Sequence, residues 1–373
     1  MTGSSIDPRA ALSGHRRIVV KIGSRSIIGG DRPGAVRFQV MADQIADLRA
    51  QGYEVILVSS GAVALGLERL GLSERPGDLS RLQCAAAVGQ CGLIHAYEAA
   101  FREHELAVAQ VLLTHDGMEN RRRYLNARAA IDAIVDLGAV PIINENDTVS
   151  TQEIEFGDND QLAAMVATLA GADLLILLTD VVGLLDERRQ RISIVPDVAR
   201  VHELVWPETD PLKVSLGGMA SKLGAAERAL QRGLPVVIAP AGLDDALMRV
   251  IAGEDIGTLL LPVGSPLPSR KHWIAHTLKM RGRLVVDAGA ERALVDAKRS
   301  LLPAGIVGVE GDFQAGDAVS LLTLEGRELA RGLARYGAPE VRKLAGARSH
   351  EIQARLGRYD GDAVVHRDDL VVL

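Results

Sequence analysis

A chain of 373 residues exceeds one ordinary core and points to two domains. With 47% hydrophobic and 24% charged residues its composition is that of a globular protein, which excludes a disordered chain, and its net charge of −6 excludes a global field for nucleic acid. Aromatic residues make up only 3%, so Ala, Val, Leu and Ile must fill the core, a bias that suits parallel sheets flanked by helices.

The opening MTGSSIDPRAALSG lacks the apolar core of a signal peptide, and no apolar run approaches the ~20 residues of a membrane span. Residues 17 to 22, RIVVKI, read as the first strand and leave Lys21 near its carboxyl end beside Gly23 and Ser24. With Val19, Val20 and Ile22 around it this strand reads as central, and a lysine at its tip points into the crevice where open α/β sheets bind ligands. Phe38, Met41, Ile45 and Leu48 follow at helical spacing and the helix stops at Gly52. Residues 53 to 58 form a second strand running into Ser59, Ser60, Gly61 and Ala62, where a glycine turn opens a helix whose first backbone N–H groups could face an anion. A long helix over 79 to 105 carries Cys84 and Cys91, separated by roughly 10 Å of helical rise, beyond disulfide reach and suited to a reducing cytoplasm. Residues 106 to 113 give the next strand. The run Arg121, Arg122, Arg123 reads first as a solvated helix face or a subunit contact.

The densest chemistry lies in residues 141 to 164, PIINENDTVSTQEIEFGDNDQLAA. A buried strand over 139 to 143 is expected to end before Asn144, Glu145, Asn146 and Asp147, leaving those polar groups just past its carboxyl end. Asp158, Asn159 and Asp160 then stand at the entrance of a helix whose Leu162, Met165, Val166 and Leu169 share a face, one of the three serving as a cap. Either cluster alone reads as an Asx-rich turn or a capping group. Together they point to a site for something cationic or hydroxyl-rich, or for a metal-bound nucleotide.

A buried strand over 173 to 178 ends in Thr179 and Asp180. Leu216, Gly217, Gly218, Met219, Ala220, Ser221 and Lys222 precede a helix, and paired glycines, a hydroxyl and a lysine there are the ingredients of a phosphate cradle, although the spacing is not that of a Walker A loop. Strands follow at 235 to 239 and 257 to 261. Residues 262 to 272, with three prolines, read as a linker between a domain over 1 to 261 and a small β-rich domain over 273 to 373. In the second domain strands are expected at 283 to 286, 305 to 309 and 318 to 322, with one helix over 290 to 298. From His276 onward 15 Lys and Arg stand against 14 Asp and Glu, which is not the footprint of a strong RNA binder.

With these residues in view the chain resembles the glutamate 5-kinase family, an amino-acid kinase fold followed by a PUA domain. VVKIG around Lys21, SSGAVALG around Ser60, PIINENDTV, FGDND, LLTDVVGL and GGMASK occur in the family's order, and RRRYLN and SLLPAGIVGVEGDFQAGD match as well. The resemblance implies an open, mainly parallel sheet sandwiched by helices plus a PUA-like domain, and ATP-dependent phosphorylation of the side-chain carboxylate of L-glutamate on the way to proline. It implies that Ser60, Asp147 and Asn159 hold glutamate, and that Lys21, Thr179, Asp180 and residues 216 to 222 hold ATP with Mg²⁺. Lys21, Asp160 and Lys222 would carry catalysis, with Asp160 holding two mutually repelling ammonium groups in place. Feedback inhibition by proline, a homo-oligomer and a cytoplasmic location are further family expectations. One departure stands out: the family usually shows a threonine before the glycine pair, where this chain has Leu216. Rival readings are a related kinase for acetylglutamate, carbamate, aspartate or a nucleoside monophosphate, which the PUA-like tail disfavours, and an RNA-binding protein, which the charge balance disfavours.

Overall fold

The computed structural model describes residues 7–28, 34–150, 158–198, 201, 218–263 and 280–373. The chain divides into two compact units, Met1–Pro266 and Leu267–Leu373. The linker expected at 262 to 272 straddles that division and lies outside the described residues from 264 onward.

In the first unit the strands are β1 (Arg17–Ile22), β2 (Glu54–Ser59), β3 (Val108–Leu113), β4 (Val140–Glu145), β5 (Leu174–Thr179), β6 (Ile194–Val195), β7 (Val236–Pro240) and β8 (Thr258–Leu260). They form one sheet in the order β3-β4-β2-β1-β5-β7-β8-β6. All neighbours pair in parallel except β7 and β8. The chain builds β2, β3 and β4 on one side of β1 and then crosses to β5 on the other. This makes the carboxyl end of β1 the switch point where such sheets open a crevice.

Side chains alternate across each strand, and the alternation decides what faces that crevice. Ile18, Val20, Ile22, Val55, Leu57, Ile176 and Leu178 belong to one core with Phe38, Met41, Ile45 and Leu48 of helix Gly34–Ala50 and Leu93, Tyr97 and Phe101 of helix Leu79–Arg102. Lys21 and Thr179, of the other parity, face the helices Asp158–Leu169 and Met219–Leu230, which pack on each other across β1, β5 and β7. Helices Ala62–Arg69 and Leu79–Arg102 approach through glycines. A Cβ on Gly66 would stand 1.7 Å from the Ala85 carbonyl oxygen, and one on Gly89 would stand 1.7 Å from that of Ala62.

The structure corrects the sequence reading at the strand that matters most. β4 runs on through Asn144 and Glu145, which are buried members of the sheet rather than residues past its end. Leu113 pairs with Glu145 in register, so the parallel ladder with β3 carries the polar residues inside. The two-residue strand β6 had no sequence signal. Both cysteines are free and exposed, and no described helix is long and apolar enough to cross a membrane.

The second unit holds β9 (Gly282–Val286), β10 (Ile306–Gly311), β11 (Ala318–Leu322), β12 (Glu328–Ala334) and β13 (Val365–Val372), ordered β10-β9-β11-β12-β13. Its own core includes Leu284, Leu294, Phe313, Val319, Leu321, Tyr336 and Val364. The expected helix is Ala288–Val295, but it is not alone: helices Ala338–Leu344 and Ile352–Leu356 and the last two strands were not foreseen.

Candidate active site

Helix Asp158–Leu169 enters the crevice with two consecutive polar side chains that serve different neighbours. Asp160, with no exposed surface, forms an ion pair with Lys21 Nζ through Oδ1 at 2.6 Å and accepts Lys222 Nζ on Oδ2 at 3.3 Å. The two lysines are 4% and 8% exposed and come from opposite directions, one from β1 and one from the first turn of helix Met219–Leu230. One buried carboxylate thus stands between two ammonium groups in a site that water scarcely reaches. Burial pushes the Lys21 ammonium below its ordinary value of 10.5, and the charge of Lys222 adds to that, while Asp160 and Asp180 oppose it. Burying ammonium groups in this way is costly, and an anion placed beside them would offset that cost.

Asn159 points to the other side. Its Nδ2 donates to Ser60 Oγ at 2.7 Å and to Asn144 Oδ1 at 3.0 Å, and Asn144 Nδ2 donates to Gln90 Oε1 at 2.8 Å. Asn159 Oδ1 is buried without a hydrogen-bond partner. Ser60 is set by the turn after β2: its N–H donates to the Ile22 carbonyl at 3.1 Å, and Gly61 follows with φ of +119°, a left-handed conformation that glycine adopts without strain.

The remaining expected residues fall as follows. Thr179 Oγ1 donates to Asp180 Oδ1 at 3.1 Å at the end of β5, and Arg25 stands 3.7 Å from the other Asp180 oxygen, with both side chains largely in water. Gly218 is the extended residue that opens helix Met219–Leu230, and Ser221 and Lys222 donate their N–H groups to its carbonyl. Met219 and Ala220 follow it in the first turn, with Ala220 exposed. Leu216 and Gly217 lie outside the described residues, as does the side chain of Asp158. Asp147 stands in the turn after β4, where burial holds the Arg75 guanidinium below its ordinary pKa and the Asp147 charge opposes that shift. Asn146 is taken into that turn, its Oδ1 accepting the Thr148 hydroxyl at 2.8 Å, so of the four residues NEND this one follows the turn reading.

Sequence reasoning missed Gln90, Arg75 and the pair of His115 with the buried Glu145, 3.4 Å apart. Gln90 did leave a signal: it stands beside Gly89 on a helix whose Leu82, Ala85, Ala86, Gly89 and Leu93 form the buried stripe. No comparable pattern marks Arg75 or His115.

Among the described residues no cluster of three or more His, Cys, Asp or Glu could hold a metal ion. Asp160 has both oxygens against lysines.

Comparison with known proteins follows the same lines. The model of the amino acid kinase family matches residues 16–240, and that of the PUA domain matches residues 282–356. Glutamate 5-kinase of Methylococcus capsulatus is 46% identical over 376 residues, covering 98% of this chain and 99% of that protein. Glutamate 5-kinase of Myxococcus xanthus is 48% identical over 372 residues, covering 98% of each. Among solved structures, a carbamate kinase from Giardia is similar with a TM-score of 0.50 at 15% identity, covering 66% of this chain and 99% of that one, a likeness of fold alone.

Proposed function

The chain belongs to the glutamate 5-kinase branch of the amino acid kinase family, and from that premise we propose how its crevice divides the work of making L-glutamyl 5-phosphate from L-glutamate and ATP, the first step of proline biosynthesis. The carrying observation is the Lys21–Asp160–Lys222 arrangement.

The acceptor is a carboxylate, already ionised near neutrality (reference pKa about 4.3 for a Glu side chain), so no general base is needed. Positioning and charge neutralisation remain to be done by the protein. Lys21 and Lys222 offset the charge on the γ-phosphoryl oxygens, and Asp160 holds the two ammonium groups apart yet close enough to act on one group. A Mg²⁺ carried in with ATP would supply further positive charge beside Lys21 and Lys222. Thr179, Asp180 and residues 216 to 222 take the nucleotide. Ser60, Asn159 and Asp147 take glutamate, with Asp147 supplying the carboxylate for its α-ammonium group and Asn159 Oδ1 supplying an unused acceptor. The Leu216 departure removes any side-chain hydroxyl from that position while leaving its backbone able to contact phosphate.

The same reading sets a catalytic domain over residues 1 to 261, a linker over 262 to 272 and a PUA-like domain over 273 to 373. Self-association, feedback inhibition by proline and a cytoplasmic location accompany it as family expectations. A hydroxylamine trap tests the activity: purified chain with glutamate, ATP and Mg²⁺ should yield the glutamyl hydroxamate. No hydroxamate from glutamate, with product from carbamate or acetylglutamate instead, would overturn the reading.

A further inference from the structure

Four side chains form one hydrogen-bonded line from the interior of helix Leu79–Arg102 to the mouth of the crevice: Gln90, Asn144, Asn159 and Ser60. The line crosses the sheet. Asn144 lies on β4 with the parity of Ile142, toward the long helix, whereas Asn159 reaches the carboxyl edge from the helix on the opposite face. Gln90 is thus the only member with no backbone near the crevice, and its contribution is felt through the other three.

The placement of Gln90 is tightly determined. Gly89, its neighbour, lies against the Ala62 carbonyl, and Gly66 lies against the Ala85 carbonyl, so the two helices meet almost backbone to backbone. The same clamp fixes Ala62, two residues after Ser60. One helix contact therefore bears on both ends of the line, Gln90 on the long helix and Ser60 in the turn that leads into the short one. Rotamer freedom in the middle is removed by the pairwise bonds, since Asn144 uses its oxygen toward Asn159 and its nitrogen toward Gln90.

Gln90 serves this arrangement with its oxygen, and its Nε2 is buried without a partner. A buried amide donor left unmatched is unfavourable for folding alone. Leucine at this position would fill similar volume without that penalty. What the glutamine adds is an acceptor for Asn144.

We propose that Gln90 is a positioning residue for glutamate, acting through Asn144 to hold Asn159 and Ser60 in the geometry that grips the substrate. This rests on the assignment of Ser60 and Asn159 to glutamate. Because the line is made of neutral amides and a hydroxyl, its loss loosens the grip on the substrate without touching the charges that serve phosphoryl transfer. The effect should fall on glutamate KM and not on ATP KM.

The test uses the full chain and steady-state hydroxamate formation. Gln90→Leu removes the acceptor and Gln90→Glu keeps one. Expected are a glutamate KM about tenfold higher in Gln90→Leu with ATP KM within about twofold of the parent, and recovery of most of that loss in Gln90→Glu, in line with one hydrogen bond. The double variant Gln90→Leu with Ser60→Ala should be little worse than Ser60→Ala alone, because both remove the same grip. Additive losses, equal losses in the Leu and Glu variants, or a matching rise in ATP KM would overturn the proposal, since a merely structural glutamine would give those results. If Gln90→Leu does not fold, Gln90→Glu alone still decides: a parent-like glutamate KM supports the acceptor role and a KM tenfold higher refutes it. A parent chain inactive on glutamate would instead overturn the functional reading.

Discussion

The charged half of the crevice and its amide half take consecutive residues of one helix and hold them by different physics. Asp160 is fully buried between two lysines, where its charge attracts both and theirs repel each other. Asn159, one position earlier, joins a line of neutral groups in which each bond is local and no charge is exposed to low dielectric. The difference teaches what each half can do. Buried charges change the energy of a group whose own charge is rearranging, which is the demand of phosphoryl transfer. Neutral amides bind ground state and transition state alike, so they govern affinity and fit.

The sharpest way to break this comparison is to remove one charge. Lys222→Ala and Lys21→Ala should each lower kcat about 100-fold or more while glutamate KM changes only a few-fold, as removal of a charge-stabilising donor costs about 3 kcal/mol. Single-turnover measurements with both substrates saturating would check it. A kcat within threefold of the parent in either variant would place the transfer elsewhere.

Substitution on the glutamate side should show the converse. Asp147→Asn keeps the shape of the side chain but removes the charge assigned to the α-ammonium group. A hydrogen bond to a charged group contributes about 1.5–3 kcal/mol, so glutamate KM should rise about 10- to 100-fold and the preference over acetylglutamate should shrink. ATP KM should stay level. Loss of ATP binding with glutamate KM unchanged would mean that Asp147 serves the nucleotide or its metal.

A finer test uses pH. Burial first and Lys222 second push the Lys21 ammonium below 10.5, so the free enzyme should lose activity on an alkaline limb below that of an ordinary lysine. Phosphates bound beside it favour the charged form, so the limb in kcat should lie at higher pH than the limb in kcat/KM for ATP. Stability moves the other way. Between the depressed native value and 10.5 the unfolded chain binds the extra proton, so the penalty for the buried ammonium is present at lower pH and relieved as pH rises through that window. Lys21→Arg should abolish the limb at a lower overall rate, and an unchanged limb in that variant would assign it to another group.

How far the sequence showed this site depends on which signal each residue carried. Lys21 interrupts an apolar strand, and Asn159 and Asp160 precede an apolar helical face, so chemistry was visible where polar residues broke a regular pattern. The family resemblance brought Lys21 and Lys222 together, and two neighbouring ammonium groups then called for an acid between them, a place that Asp160 takes. Asn144 and Glu145 were placed outside the strand because polar residues there suggest a loop, whereas the ladder with β3 continues, Asn144 donates to Gln90, and His115 stands 3.4 Å from Glu145. Arg75 and His115 could not be found at all, since their roles come from long-range contacts that no local period encodes. In the second unit β12 and β13, ELARGLA and VHRDDLVV, carry charges and a glycine within the strands and pair with shifts in register, so neither alternates cleanly enough to be read.

The smallest expected effect compares the two units. Every residue assigned to glutamate, ATP or catalysis lies in Met1–Pro266, and the cores of the two units share no residue. A chain ended within residues 262 to 272 should therefore fold and keep kcat and both KM values within about threefold of the parent, the size of effect expected when no bond to substrate or transition state is lost. The second unit has a hydrophobic core of its own around Leu284, Phe313 and Tyr336. Circular dichroism and the hydroxamate assay on the shortened chain would measure this together. A folded but inactive product would show that the second unit shapes the crevice, and the charged and amide halves would then need a third contributor from beyond residue 266.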